Sequence, residues 1–243
     1  MSQLDLEICV SNLEFLIESK TKLIKINQAS AEDYLDLCDH FRNLACGKYL
    51  LSLNKAEFEQ QLSNSVKTSL MFLKDFEKLK FDQYYRCRSR ISSVLDAIII
   101  SDMQSLANLD DLLDDMAVKQ MEYEEDFYFL FLLTKLALNK FDKNQKIERL
   151  EYFASLPGAE ASQISFFGAI LDVDAEMLEE AIIDLIGEWH DSVVKQRQDE
   201  TIDPYFNLTA ANLYITGLAM LKLASNNGMN LHGKIRYIPA ILL

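Results

Sequence analysis

The chain has 243 residues, of which 49% are hydrophobic and 26% charged, with 7 Gly, 3 Pro, 4 Cys and a net charge of −14. Collagen-like and low-complexity chains need far more Gly and Pro, disulfide scaffolds need more Cys, and disordered tails contain fewer apolar residues, so these classes are excluded. The acidic balance disfavours nucleic acids and anionic membranes as direct partners and favours a basic protein, although it also fits a role in solubility alone.

Apolar residues recur at helical spacing along almost the whole chain, and strict alternation of apolar and polar residues is nearly absent. This pattern predicts an all-α fold. Ser30 and Asp174 have the features of N-caps, whereas Pro157, Pro204 and Gly228 are expected to end helices. In chain order, the predicted helices cover residues 4–27, 31–53, 55–80, 83–106, 109–139, 143–155, 159–171, 175–198 and 208–225.

Successive long helices with short connections indicate antiparallel helical hairpins, stacked as a bundle or an irregular solenoid. A break of the fifth helix near Tyr123 stays open at this point. Residues 1–243 are expected to form a single helical domain, with a division into two lobes left open. Residues 235–243 are largely apolar, so we expect a short non-helical C-terminal tail that docks on the helices.

Targeting signals are not evident, and we therefore expect a cytoplasmic protein. Four carboxylates and no Lys or Arg precede Lys20, which is unlike a signal peptide. The longest apolar stretch, residues 127–138, is shorter than the roughly 20 residues that span a bilayer, and it predicts a buried helix. The cysteines lack C-x-x-C spacing, so we expect reduced core thiols rather than disulfides or a zinc site. They are Cys9, Cys38, Cys46 and Cys87.

Catalytic and metal-binding motifs are also missing. His40, His190 and His232 are far apart in sequence, and none forms a metal-binding helical pattern. Residues 228–234 match the start of a P-loop, but Ile235 stands where Ser or Thr should coordinate magnesium, so nucleotide binding is rejected. We expect a protein that is not an enzyme and has no cofactor or metal, although a catalytic pair assembled from distant residues stays open.

Residues 67–90 form a basic segment, with seven basic and three acidic residues. Tyr84 and Tyr85 precede three arginines at positions 86, 88 and 90, which is a composition found in nucleic-acid patches. The excess of positive charge is small within such an acidic chain. We therefore favour pairing of these arginines with the protein's own acidic helices.

The predicted helix 175–198 combines a clean apolar stripe with a concentrated acidic face. Residues 172–191 contain eight acids and no Lys or Arg. Four of the acids follow one another at i,i+4 spacing, where like charges destabilise a helix by roughly 0.2–0.5 kcal/mol per pair. Because a basic partner would relieve this repulsion, we predict a partner-binding surface. Its residues are Glu176, Glu180, Asp184 and Glu188.

A second acidic cluster covers residues 110–126, where Lys119 is the one basic residue. Solvation alone would tolerate such a cluster, because salt screens exposed charges. The concentration of acids on particular helices favours a second binding surface instead. The residues predicted to form it are Asp110, Asp111, Asp114 and Asp115.

The order of elements in residues 160–243 resembles the immunity protein 49 family. A short helix ending in the acidic turn 166–174 precedes an amphipathic helix with Glu188-Trp189-His190 near its end. A polar spacer, an Ala- and Leu-rich helix over 208–228 and a terminal Tyr-Ile-Pro-Ala-Ile-Leu-Leu follow, similar to the family's Tyr-(Leu/Ile)-Pro-x-x-Leu-Leu. Asn227 departs from the basic residue that is commoner before the glycine. Residues before 160 carry no matching motif.

The resemblance implies a cytosolic antidote that binds and neutralises one cognate toxin of a bacterial polymorphic or contact-dependent secretion system. The family has no catalytic residues to transfer. We expect the toxin to be a nuclease, because an acidic helix surface competes for the basic cleft that binds a polyanionic substrate. The alternative is a helical adaptor or secretion chaperone that binds an extended peptide in a groove.

Overall fold

The computed structural model describes residues 2–229 and 235–243, and its fold is all-α, as the sequence predicts. In this part of the chain, β structure is limited to an isolated bridge between Ile235 and Ile238. The α-helices are α1 (Gln3–Lys25), α2 (Ala31–Ser52), α3 (Lys55–Leu79), α4 (Ser93–Ile99), α5 (Met103–Leu112), α6 (Glu124–Ala137), α7 (Lys143–Ser155), α8 (Ala161–Asp172), α9 (Ala175–Gln198), α10 (Pro204–Leu208) and α11 (Ile215–Asn226).

The predicted helix caps are confirmed. The Ser30 hydroxyl accepts a hydrogen bond from the Asp33 backbone N–H, and the Asp33 carboxylate accepts one from the Ser30 backbone N–H. The Asp174 carboxylate accepts hydrogen bonds from the backbone N–H groups of Glu176 and Met177 in the first turn of α9. These bonds satisfy donors that have no partner within the helix. Gly228 has φ +81° after α11, the left-handed conformation that glycine adopts without strain.

Helices α1, α2 and α3 form consecutive antiparallel hairpins with α2 in the centre. Lys20 near the end of α1 lies 2.8 Å from Asp33 near the start of α2. Lys48 near the end of α2 joins both neighbours, at 2.9 Å from Glu14 and 3.0 Å from Glu57. A small buried cluster between α1 and α2 supplements these pairs. It consists of Cys9, Val10, Leu13 and Leu44.

The predicted continuous helix over residues 83–106 is wrong. Two 3₁₀ turns, Gln83–Arg86 and Arg88–Arg90, precede α4. Ser101 then adopts a left-handed φ of 56°, and the Asp102 side chain caps a new helix, α5. The positive φ breaks the helical path, and the aspartate stabilises the new start.

Two further boundaries bear on the sequence predictions. The break of the predicted helix 109–139 near Tyr123, which the sequence left open, is present: an irregular segment covers 113–123, and α6 begins immediately after Tyr123. Pro204 begins the short helix α10 instead of ending a helix, because its missing N–H is not needed in the first turn. The expected stop at Pro157 is confirmed, since α7 ends before it.

The C-terminal tail docks on the helices, as expected. Its Ile238 side chain is buried, and the Tyr214 backbone N–H donates a 3.0 Å hydrogen bond to the Tyr237 carbonyl. The Lys222 ammonium donates a 2.7 Å hydrogen bond to the Leu243 backbone oxygen. The tail is not fully irregular, because a 3₁₀ turn covers Ala240–Leu242.

The main buried cluster contains residues from Ala31 to Leu242, so helices from α2 onward share one core with the tail. All four cysteines are buried and free, as predicted. Within residues 2–229 and 235–243, no helix is long and apolar enough to cross a membrane. His232 and most of the P-loop-like segment lie outside the described residues.

Candidate functional site

Helix α9 presents one apolar and one acidic face, because its apolar residues recur at helical spacing. The apolar face packs mainly against the antiparallel helix α8. Gly168 of α8 allows this approach, since a Cβ there would lie 3.1 Å from the Met177 methyl group. The buried residues of α9 are Leu178, Ala181, Ile182, Leu185, Ile186 and Val193.

The predicted acidic residues of α9 lie together on its opposite face. We call this surface the acidic face, and it consists of Glu176, Glu180, Asp184 and Glu188.

All four carboxylates of the acidic face are exposed, and none forms an ion pair with any residue in the described ranges. Ile183 lies next to them with 61% of its surface exposed, and no neighbouring side chain would contact a Cβ at Gly187. A single exposed apolar side chain is ordinary on a protein surface, so the distinguishing feature of this face is its row of carboxylates without ion-pair partners in the described ranges.

The acidic face continues onto neighbouring helices through Glu188. The buried Ser162 hydroxyl of α8 donates a 2.5 Å hydrogen bond to Glu188. The pKa of Glu160, at the start of α8, is raised by burial and by the charges of Glu188 and Asp126. The pKa of Asp126 is itself raised by burial and by nearby glutamates. The structure thus brings carboxylates from α6, α8 and α9 into one electronegative region.

Asp110 does not lie on a binding surface, so this prediction is corrected. Its carboxylate is fully buried, 3.1 Å from Arg88, 2.8 Å from Lys135 and 2.9 Å from Lys140. Burial raises the pKa of Asp110, but the hydrogen bonds from the two lysines and the charge of Arg88 outweigh it, so the pKa lies below its ordinary value. The buried cations make Asp110 a structural residue.

The other three residues of the second acidic cluster are exposed, but two of them already pair with lysines of the same molecule. Asp111 and Asp115 are exposed, but Asp111 pairs with Lys140 at 3.2 Å and Asp115 pairs with Lys135 at 2.8 Å. Asp114 is exposed, and its backbone carbonyl accepts hydrogen bonds from Arg88. These contacts confirm that an arginine of the basic segment pairs within the molecule. The cluster therefore links α5 and α6 to the 3₁₀ turns that precede α4.

A cleft of 830 Å³ lies between α2, the 3₁₀ turns with the adjoining α4, α9, and residues 203–216, which run from α10 to the start of α11. The sequence did not predict it, since its walls come from four separate regions. Arg42 lines the cleft and holds the fully buried Asp96 through two hydrogen bonds of 2.8 and 2.7 Å. Aromatic side chains line the cleft as well. They are Tyr84, Tyr85, Trp189, Phe206 and Tyr214.

Burial is the main cause of the pKa shifts of the charged groups that line the cleft. Burial raises the pKa of Asp39, an effect that Arg42 partly offsets. Burial lowers the pKa of His40 and of Arg90, whose guanidinium lies 3.5 Å from the centre of the Tyr84 ring. Acids and aromatic rings in one concave site can hold cationic side chains through ion pairs and cation–π contacts.

His190 and Cys38, which were further candidates for reactive groups, lie in contacts that support the fold. His190 Nδ1 lies 3.0 Å from the Tyr237 hydroxyl, and the Trp189 ring contacts both Tyr214 and Tyr237. The structure therefore joins the end of α9 to the docked tail. Burial raises the pKa of the Cys38 thiol to about 12, which keeps it protonated at neutral pH. In the described part of the chain, no group of three or more His, Cys, Asp or Glu could hold a metal ion.

Comparisons with models of protein families, with curated proteins and with solved structures found no match for the chain. The similarity of residues 160–243 to the immunity protein 49 family therefore stays a hypothesis, based on the motifs described above.

Proposed function

We propose that the protein is an immunity protein that neutralises a cognate bacterial toxin by tight stoichiometric binding. The observation that carries the proposal is the acidic face of α9, whose four carboxylates are exposed and have no cationic partner in the described residues. The protein works by remaining bound in the cytoplasm, with no reaction, cofactor or metal. Because it must hold the toxin before any turnover, we expect nanomolar or tighter affinity, about −12 kcal/mol or beyond.

The charge arrangement supports a basic partner. No cation among residues 2–229 and 235–243 pairs with Glu176, Glu180, Asp184 or Glu188, so binding a cationic surface would relieve their mutual repulsion. Ile183 offers an apolar contact beside these charges. A nuclease is the partner that we expect, because its substrate-binding cleft is basic and an acidic helix can occupy it.

Co-expression tests the proposal. The probe is the product of a toxin-like gene adjacent to the gene for this chain, expressed in cells with and without the protein. We expect growth to stop with the toxin alone and to continue with both proteins. Equal killing in the presence and absence of the protein would reject the proposed function.

The cleft favours a second candidate function, a helical adaptor or secretion chaperone that holds an extended peptide. Its aromatic and acidic walls suit a basic peptide better than a folded domain. Trp189 is the single tryptophan of the chain and lines the cleft, so its fluorescence reports occupancy. A saturable change with an arginine-rich octapeptide, without binding to the isolated folded toxin domain, would favour the adaptor. The reverse result would favour the immunity protein.

A further inference from the structure

Helix α1 is apolar on two opposite faces. Leu6, Cys9, Val10 and Leu13 are buried on the face that packs on α2. A second apolar line runs along the opposite face, where single exposed side chains would be ordinary but an aligned set is not. We call this line the α1 seam. It consists of Leu4, Ile8 and Phe15 of α1 and of Ile26, the residue that follows the last turn of α1; they are 63%, 52%, 69% and 58% exposed.

The α1 seam is narrow and long. At 100° per residue, its four members fall within about 40° of one another around the helix axis. They extend over about 33 Å along the axis, at 1.5 Å per residue. Small or flexible residues fill the same line between them, at Ser11, Ser19 and Lys22. A straight partner helix could contact the whole seam.

The charges of α1 are divided along its length, and this division selects the partner. All of its acids, at positions 5, 7, 14 and 18, precede all of its lysines, at positions 20, 22 and 25. Glu14 and Lys20 pair with α2 and Glu18 pairs with Lys22, whereas Asp5, Glu7 and Lys25 form no ion pair within the described ranges. A second copy of α1 in antiparallel orientation places Asp5 and Glu7 of each helix beside Lys25 of the other. The helix dipoles then also run in opposite directions. A parallel pair would instead place like charges side by side.

The positions of the seam residues fit the same arrangement. When Phe15 faces its own copy, Leu4 meets Ile26 of the second copy, so three of the four seam residues oppose a seam residue, and Ile8 opposes the flexible Lys22. Ser11 of each copy then meets Ser19 of the other, on either side of the central phenylalanines. These small side chains let the two helices approach closely. Such self-complementarity is what a two-fold interface requires, because each surface must fit itself.

We propose that the α1 seam is a homodimer interface, in which two copies of the chain pair through antiparallel α1 helices with Phe15 on the two-fold axis. A single helix pair of this length lies at the lower end of the size range for specific interfaces, so the dissociation constant falls in the micromolar range. Acidic Glu7 lies beside Lys22 and Lys25 of the second copy, and the dimer therefore weakens as salt rises. This interface is separate from the acidic face of α9 and does not depend on toxin binding.

Sedimentation of the full chain tests the pairing over protein concentrations up to about 500 µM, which exceeds the expected dissociation constant. We expect the mass to rise from 27.9 kDa to twice that value. Phe15→Glu should remain monomeric throughout with an unchanged circular dichroism spectrum, because the side chain is exposed. A wild-type chain that stays monomeric, or a Phe15→Glu chain that dimerises equally, overturns the proposal.

Cysteine cross-linking tests the register. Phe15→Cys should form a covalent dimer on mild oxidation, since the two copies meet at this position. Leu4→Cys should not cross-link to itself, but a mixture of Leu4→Cys with Ile26→Cys should cross-link. Ile183→Cys is the matched control, because Ile183 is equally exposed on α9. Cross-linking of Leu4→Cys alone, without cross-linking of Phe15→Cys, would contradict the antiparallel arrangement.

Discussion

Arg88 and Asp110 form an ion pair with a 3.1 Å separation, and both side chains are almost completely removed from solvent. The pair joins the 3₁₀ turns before α4 to helix α5. Lys135 of α6 completes it from the other side at 2.8 Å. Through this contact, a segment that is rich in basic residues takes part in packing the interior of an acidic protein.

Asp110→Asn should destabilise the protein by about 3–5 kcal/mol, because it removes the fully buried carboxylate of the cluster and leaves Arg88 and Lys135 with only the exposed Asp115 nearby. The free energy of unfolding in urea measures the loss. Asp111→Asn is the matched control, since its side chain is 71% exposed and its one ion pair in the described ranges is with Lys140. It should cost less than about 1 kcal/mol. Equal effects of the two substitutions would show that burial does not govern the pair.

Acid should weaken the same pair. The pKa of Asp110 in the folded protein is lower than the 3.8 of an ordinary aspartate. Its contribution to stability is therefore fully present above pH 3.8 and is lost as the pH falls through the folded-state value. The Asp110→Asn variant should lack this part of the acid dependence.

Replacing Gly187 of α9 and Gly217 of α11 by alanine should have opposite effects on the stability of the protein. Gly217→Ala places a Cβ against the Tyr214 ring and the Ile238 side chain, so it should displace the tail and destabilise the protein. Gly187→Ala meets no atom within 4 Å and should stabilise α9 by up to about 1 kcal/mol, the difference in helix propensity. Thermal unfolding of both variants measures the contrast. Stabilisation by both would show that the tail does not pack as described.

Acidification should destabilise the protein through His40. Burial lowers the pKa of His40 below 6.5, with Lys20 acting in the same direction and Asp36 and Asp203 opposing it. The unfolded chain therefore takes up a proton first, so stability is fully present above pH 6.5 and falls as the pH drops towards the folded-state value. His40→Gln should flatten the dependence of unfolding free energy on pH between about 7 and 5. Parallel curves for the two proteins would contradict this role.

Removing one charge from the acidic face should stabilise the free protein. Glu180 faces both Glu176 and Asp184 at i,i+4 spacing without a cation in the described residues. Glu180→Gln removes two repulsive pairs and should add about 0.4–1 kcal/mol to the free energy of unfolding in low salt. Glu7→Gln on α1 is the control, since residue 7 is exposed and has no acid three or four residues away. A loss of stability on Glu180→Gln would show that an unseen contact compensates its charge.

The sequence predicts the helices well where periodicity and caps agree. Helix α9 is an example, because its apolar stripe and the Asp174 cap both point to the observed limits. The predicted helix 83–106 fails because its break depends on a left-handed Ser101 and on the burial of Arg88, and neither has a local signature. Propensity cannot reveal a contact that forms only after distant helices pack.

The sequence predicts those parts of the candidate site that depend on one helix, and it misses those that depend on contacts between distant residues. The acidic face lies on one helix, so helical geometry alone places its carboxylates together. Asp110 has the same spacing to its acidic neighbours, but its burial follows from the distant residues Lys135 and Lys140. The cleft and the contact between His190 and Tyr237 join residues far apart in sequence, and no local pattern indicates either of them.

The measurement that tests the account most directly is the association rate with the purified toxin-like product of the adjacent gene, at about 50 mM and about 300 mM salt. The variant Glu180→Lys/Asp184→Lys is compared with Glu148→Lys/Glu151→Lys, which changes the net charge equally on exposed positions of α7. We predict one-to-one binding that the first variant slows at least tenfold at low salt and the second leaves nearly unchanged. Equal rates for both variants, or no complex with the wild-type chain, would contradict the account.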